Sequence, residues 1–235
     1  MVLPLYDDNP FTKPVVPVVT WSLIAINILV FLLQGGAPEE TVRWMTVSFG
    51  FTPAAFAHEA PQAGPLPSAL TLLTSMFIHG GWGHLFGNML YLFIFGDDIE
   101  EALGKLRFIV FYLASGVIAT LGYFAINVHS GVTLIGASGA VSAILAAYLM
   151  LRPCAKVTAL VLRVIVRVQA YWVIGGWIVL QLISLVADDK DGVAYVAHGG
   201  GLVAGVVLFV LMRPAGVALF ECMDPQKSAT PATVK

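Results

Sequence analysis

Long apolar runs separated by short polar segments form the main pattern of this chain. At a rise of 1.5 Å per residue, a helix needs about 20 apolar residues to cross a hydrocarbon core of about 30 Å. Four runs approach that length and predict helices over residues 18–34, 106–128, 169–187 and 193–212. Two more runs, 83–95 and 138–151, hold about 13 and 14 residues, too few to cross alone. The pattern predicts six helices, two of which have outer ends below the membrane surface.

The polar segments around these runs predict the domain organisation. Residues 1–17 are polar and rich in proline, which disfavours a helix before residue 18. Residues 37–75 form a long mixed segment that is more typical of a functional loop or a surface-lying element than of a simple connector. We therefore expect a cytoplasmic N-terminal segment over 1–17, one six-helix domain over 18–213, and a short disordered cytoplasmic tail over 214–235.

Composition assigns the chain to the membrane. It is 58% hydrophobic and 11% charged, with a mean hydropathy of +0.87, whereas about a quarter of the residues in a soluble domain are charged. No basic run suggests binding of nucleic acid. Cys154 and Cys222 are too few and too isolated for a metal cluster or a disulfide framework, so we expect free thiols. The sequence predicts neither a metal nor a cofactor.

The distribution of lysine and arginine predicts the orientation of the helices. Placing the N-terminus in the cytoplasm leaves only Arg43 and Lys190 outside and puts ten cations on the cytoplasmic side. Asp7 and Asp8 precede the first apolar run, where a signal peptide would carry basic residues, so we interpret that run as a retained helix. The expected location is the cell (cytoplasmic or inner) membrane, with both termini in the cytoplasm.

Four polar residues at the outer ends of these helices are candidates for chemistry. Ser138 starts the fourth apolar run, and His198 lies near the start of the last one. His84 and Asn88 lie one helical turn apart at the start of the second run. A serine hydroxyl becomes a nucleophile when a base such as imidazole takes its proton. Amide, imidazole and helix N-terminal N–H groups then stabilise the oxyanion.

Each candidate also has a purely structural interpretation. Ser138 would be a small residue that aids helix packing, and His198 would be a buried histidine bonded to a carbonyl. His84 and Asn88 would form an interhelical hydrogen bond. Ionisable residues inside a span are costly and rare, which favours a functional role for His198. His79, in a glycine-rich turn before His84, is better explained as a loop brace.

Other hydrolytic mechanisms lack the residues they need. No Asp, Glu or Lys falls within a predicted span. A Ser-His-Asp triad therefore has no obvious third member, and an aspartyl protease and a Ser-Lys dyad are excluded. His58-Glu59 has no second histidine to complete the metalloprotease motif. A Ser-His dyad remains.

Together these motifs resemble the rhomboid family of intramembrane serine proteases. The resemblance covers nearly the whole chain and includes residues 9–21, 79–104 and 136–139, and Ala197-His198 with Gly201 and Gly205. It implies an all-α membrane protein, a six-helix bundle with a membrane-embedded first outer loop. It also implies a serine endopeptidase that cleaves single-span membrane proteins in or near their transmembrane segment. The partners would be transmembrane protein substrates and the lipid bilayer.

The resemblance also implies roles for individual residues. Ser138 matches the nucleophile and His198 its general base. His84 and Asn88 match the side chains that line the oxyanion site, with the backbone N–H of Ser138 as a further donor. Gly136 matches the first glycine of the serine motif.

One further motif matches the family and two positions depart from it. Gly96-x-x-x-Glu100-x-x-x-Gly104 matches a family structural motif, which makes Glu100 architectural. Some members carry a tyrosine four residues after the serine that stacks on the catalytic histidine, whereas Ser142 stands here. The family's Trp-Arg pair in the first outer loop is replaced by Arg43-Trp44, in the opposite order.

Two functions from other classes stay open. A small transporter could use broken helices and a polar pocket, although the polar candidates cluster near the outer face and lack intramembrane charge. A catalytically inactive relative could bind membrane helices, although both Ser138 and His198 are present. Oligomeric state also stays open.

Overall fold

The computed structural model describes residues 2–8, 16–35, 38–161, 163–187, 194–220 and 222, and all structural statements concern these residues. It is a helical bundle with a small antiparallel sheet at one end. The helices are, in order, α1 Val18–Gly35, α2 Glu39–Phe49, α3 Pro53–Phe56, α4 Ser68–Thr74, α5 Trp82–Leu103, α6 Lys105–Ile126, α7 Ser138–Leu151, α8 Ala170–Val186 and α9 Tyr195–Met212.

The long helices agree with the apolar pattern of the sequence. Helices α1, α6, α7, α8 and α9 begin and end within two residues of their predicted bounds. Three of them, α1, α6 and α9, are long and apolar enough to cross a membrane. The prediction of a helical membrane protein is confirmed, whereas the number of spans stays a prediction.

Helix α5 is longer than the sequence pattern predicted. It continues through the acidic segment after Phe95 and ends at Leu103, so the prediction of a short helix was wrong. The continuation is possible because the acidic side chains have partners: Asp98, with no exposed side-chain surface, lies 3.0 Å from an Arg152 nitrogen. Its 22 residues span about 33 Å. The statement that no acidic residue lies in a helical span is therefore also corrected.

Glu100 joins the end of α5 to the start of α1. Its carboxylate accepts hydrogen bonds from the Val19 and Thr20 backbone N–H groups, at 3.0 and 2.7 Å, and from the Thr20 hydroxyl at 2.8 Å. These N–H groups belong to the first turn of a helix, where donors lack intrahelical partners and negative charge is favourable. The geometry agrees with the architectural role that the resemblance implied.

The three-stranded sheet was not predicted. Strand β1, Val2–Asp7, pairs antiparallel with β2, Lys156–Val161, which pairs antiparallel with β3, Val164–Gln169. The sheet is anchored to the bundle because the Tyr148 hydroxyl at the end of α7 donates to an Asp7 carboxylate oxygen at 2.6 Å. The alternating apolar residues of β2 and β3 carried a signal for strands, but the first strand contains a proline, Pro4.

Helix α7 is the centre of the bundle. All its residues except Ser138 and Leu149 are buried. Glycines let α9 approach closely, since a Cβ on Gly201 would collide with the Gly139 carbonyl and one on Gly205 with the backbone of Ala143. Gly201 and Gly205, four positions apart, therefore form a close-packing face on α9.

The end of the chain folds back against α7. The Phe220 N–H donates to the Met150 carbonyl at 2.6 Å. This return brings Cys222 next to Cys154, and the two form a disulfide with a Cα–Cα distance of 5.0 Å. The expectation of free thiols was wrong because the 68-residue separation gave no sign of this contact. Of the predicted tail, residues 214–220 and 222 are described, and the rest lies outside the described residues.

Candidate active site

Ser138 is the first residue of α7, and the segment before it is held in place by the residues between α1 and α5. Leu134 exchanges two backbone hydrogen bonds with Phe51, at 2.7 and 2.9 Å. The Gly136 N–H donates to the Ser75 carbonyl at 2.8 Å. Helix α7 then begins at Ser138, so that its N-terminal backbone N–H groups, which lack intrahelical acceptors, lie beside the serine.

His84 lies directly against this segment. Gly136 has a φ of +112°, and a Cβ there would be 2.5 Å from His84 Nε2. A glycine is therefore needed both for the backbone conformation and for the approach of the imidazole. The Gly80 N–H donates to His84 Nδ1 over 3.5 Å. An N–H donor at Nδ1 favours the tautomer of the neutral ring that carries its proton on Nε2, the atom that faces Gly136.

Asn88 lies one turn further along α5 and is buried, with 7% of its surface exposed. Its amide nitrogen donates to the His84 carbonyl at 3.1 Å, a contact within the same helix. The amide has two N–H groups, so this bond uses one donor and leaves the other for a ligand.

His198 lies in the first turn of α9, one residue after Ala197. It is buried, and its Nδ1 is 2.9 Å from the side-chain amide nitrogen of Gln181 on α8. The indole of Trp177 lies beside the imidazole, with ring centroids 5.9 Å apart and planes 35° apart. Tyr195 meets the imidazole edge-on at 6.3 Å.

Close packing of α7 and α9 brings the serine and histidine segments together. A Cβ on Gly139 would lie 3.8 Å from the Ala197 carbonyl oxygen. Ser138, Gly136 and Ala197 also line one small cavity. The three stretches that carry the predicted site residues therefore meet at the N-terminus of α7.

His79 supports this region from the side. It is buried, and its backbone N–H donates to the Gln34 side-chain oxygen at 3.4 Å. Its ring packs edge-on against His84 with centroids 5.1 Å apart. The predicted role as a loop brace agrees with this packing and stays a prediction.

The sequence interpretation missed two residues of this region, Trp177 and Gln181. They are separated by four positions, which puts them on one face of α8. That spacing was the signal in the sequence by which the two residues could have been found.

Ser142 stands where the resemblance implies a tyrosine in some members, and its hydroxyl donates to the Ser138 carbonyl at 2.7 Å within α7. The face of His198 is covered by α8 instead of by α7.

The arrangement has the groups that nucleophilic catalysis requires. A serine hydroxyl lies at a helix N-terminus, with imidazoles from α5 and α9 on neighbouring elements. Within the described part of the chain, no group of three or more His, Cys, Asp or Glu side chains could hold a metal ion.

Comparison with known proteins identifies the family of this chain. A family model described as Rhomboid domain matches residues 67–215. The Putative rhomboid protease YdcA of Bacillus subtilis is 28% identical over 135 residues, which cover 57% of this chain and 62% of that protein. Rhomboid protease GluP of the same organism is 31% identical over 133 residues, covering 57% and 24%. The mitochondrial Presenilin-associated rhomboid-like protein of Homo sapiens is 27% identical over 195 residues, covering 77% and 48%. The chain spans less than two thirds of the length of each of these relatives.

Proposed function

Because this chain belongs to the rhomboid family, we propose that it is an intramembrane serine endopeptidase. Its substrates are single-span membrane proteins, which it cleaves in or near their transmembrane segment. The observation that carries the proposal is the meeting of three elements at the start of α7, where Ser138 lies between the His84 and His198 segments.

The proposed nucleophile is Ser138 and the proposed base is His198. The Ser138 hydroxyl attacks the peptide carbonyl carbon and its proton passes to His198. The imidazolium then gives that proton to the departing amine, which leaves an acyl-enzyme. Water, deprotonated by the same imidazole, hydrolyses the ester and restores the serine hydroxyl.

The proposed oxyanion site uses three kinds of donor. The His84 tautomer favoured by the Gly80 N–H presents Nε2–H towards Gly136. Asn88 has a second amide N–H beyond the one bonded to the His84 carbonyl. The Ser138 backbone N–H is at the N-terminus of α7, where the helix dipole also favours negative charge.

We propose six membrane spans, both termini in the cytoplasm and the active site near the outer face. The excess of cations on one side supports this orientation. The domain boundaries stay as predicted, with a six-helix core over 18–213.

Cleavage of a single-span test substrate in liposomes tests the proposed function. We expect a defined product from the wild type and none from Ser138→Ala or His198→Ala, with both variants folded and inserted. A serine-reactive phosphonate should label the wild type and not Ser138→Ala. Undiminished cleavage by Ser138→Ala would refute the assignment. A folded wild type that neither cleaves nor reacts would favour a helix-binding or transport function.

A further inference from the structure

The hydrogen bond between Gln181 and His198 connects α8 to the candidate base. The amide nitrogen of Gln181 and Nδ1 of His198 are 2.9 Å apart, a normal hydrogen-bond distance. Trp177, one turn earlier on the same face of α8, lies along the imidazole ring. Two side chains from one helix therefore fix the ring of His198, one at its edge and one at its face.

Helix α8 is buried only near its start, whereas Gln181 lies in its C-terminal half. The buried residues of α8, Ala170, Val173 and Ile174, all lie in its first five positions. Around Gln181 the helix surface is open, with Leu180 60% exposed. A polar side chain directed inward from such a segment has a specific partner, and here that partner is His198.

A Ser-His dyad requires one particular tautomer of the histidine, and the hydrogen bond between Gln181 and His198 can select it. For His198 to take the serine proton at Nε2, the neutral ring must carry its proton on Nδ1. An acceptor at Nδ1 selects that tautomer and also stabilises the imidazolium that forms. As placed, the amide nitrogen of Gln181 faces Nδ1, so the amide must make a half-turn to present its oxygen there as the acceptor. The two orientations of a glutamine amide have nearly the same shape.

We propose that Gln181 is a positioning residue for His198, whose amide oxygen accepts the Nδ1–H and thereby keeps Nε2 free to take the Ser138 proton. This inference rests on the proposed function. Gln181 supplies the third member that a Ser-His dyad lacks, without placing a carboxylate in the membrane, where a charge is costly. Trp177 supplies the ring face that some relatives build from a tyrosine at the position of Ser142.

The matched variants are Gln181→Leu, Gln181→Glu and Leu182→Ala, assayed with the single-span test substrate. Leucine has a similar volume and no acceptor, whereas glutamate restores an acceptor and adds a charge. Leu182, the next residue of α8, is 52% exposed and serves as the control for truncation on this helix. The titratable groups of the described residues that neighbour His198 are His84 and Tyr195, and both are unchanged in all three variants.

We expect Gln181→Leu to lower kcat roughly tenfold with little change in KM, the size of effect that one hydrogen bond produces. Gln181→Glu should recover part of this loss and move the acidic limb of the pH profile to higher pH, because a carboxylate stabilises the imidazolium. Leu182→Ala should behave as the wild type. The thermal midpoint of each variant separates loss of activity from loss of folding.

Wild-type kcat and pH profile in Gln181→Leu would overturn the inference and leave the proposed function standing. If Gln181→Leu does not fold, Gln181→Glu decides alone, and an unmoved acidic limb overturns the inference. A wild type that neither cleaves nor reacts with the phosphonate overturns the proposed function, and the inference fails with it. The two failures are distinguished by the wild-type control.

Discussion

Substitution of Gly136 by alanine tests the contact on which the oxyanion site depends. The new Cβ would lie 2.5 Å from Nε2 and 2.6 Å from Cε1 of His84, about 1 Å closer than ordinary carbon contacts. A φ of +112° is strained for any residue with a Cβ and costs about 1–3 kcal/mol. The backbone is held by the bond to the Ser75 carbonyl, so the imidazole is the group that moves. Loss of one oxyanion donor typically lowers kcat by about 100- to 1,000-fold.

Two other glycines separate the causes of this loss. Gly104 has a φ of +76° and open space where a methyl group would lie, so Gly104→Ala introduces strain without a collision. Gly87 lies in the second turn of α5, with open space where a methyl group would lie, so Gly87→Ala should stabilise the helix by about 0.5–1 kcal/mol. We expect a stability loss from Gly136→Ala and Gly104→Ala, and a large fall in kcat from Gly136→Ala alone.

The assay is cleavage of the single-span test substrate, with the thermal midpoint of each variant measured in the same detergent. A Gly136→Ala protein with wild-type kcat would refute the role of the His84 contact. An equal loss of kcat in Gly104→Ala would show that strain alone explains the effect.

Three further predictions concern packing and charge, each measured as a change in thermal stability in detergent. Glu100→Gln weakens the hydrogen bonds that join α5 to α1, and we expect a loss of about 2–3 kcal/mol. Arg152→Met leaves the buried carboxylate of Asp98 without its cation, which costs about 3–5 kcal/mol, and adding Asp98→Asn should recover part of that loss. Gly205→Ala should cost about 1–3 kcal/mol because its Cβ meets the backbone of α7, whereas Gly199→Ala has open space and should have no such cost. Equal effects of the two glycine substitutions would contradict the packing described.

The long helices could be predicted from the sequence because a membrane helix is marked by one continuous run of apolar residues. A buried or lipid-facing helix must be apolar along its length, so its ends coincide with the first polar or helix-breaking residues. The predicted and observed bounds of α7 are identical for this reason. The residues that meet at Ser138 were also identified from sequence, because polar groups stand out in apolar runs.

The rest depended on contacts between distant segments. β1 pairs with a segment about 150 residues away along the chain, and that pairing leaves no local signal. The extension of α5 depends on Arg152, which lies beyond the end of α7. Gln181 was overlooked because a single amide in an apolar run acquires meaning only when its partner, His198, is known.

The distribution of charge along the described helices explains both a failure and a success of the sequence analysis. The charged side chains of α5 lie at its C-terminal end, where Asp98 is paired with Arg152 and Glu100 holds the start of α1. Among the described residues, the N-terminal halves of α5, α7 and α9 and the C-terminal half of α8 contain no Asp, Glu, Lys or Arg. The prediction that the helical spans contain no acidic residue was therefore wrong for α5 as a whole, but it was right for the end of the bundle where Ser138 lies. Of the groups that the structure describes at that end, only neutral ones are placed to orient an imidazole, and an amide such as Gln181 does so without the desolvation cost of a carboxylate.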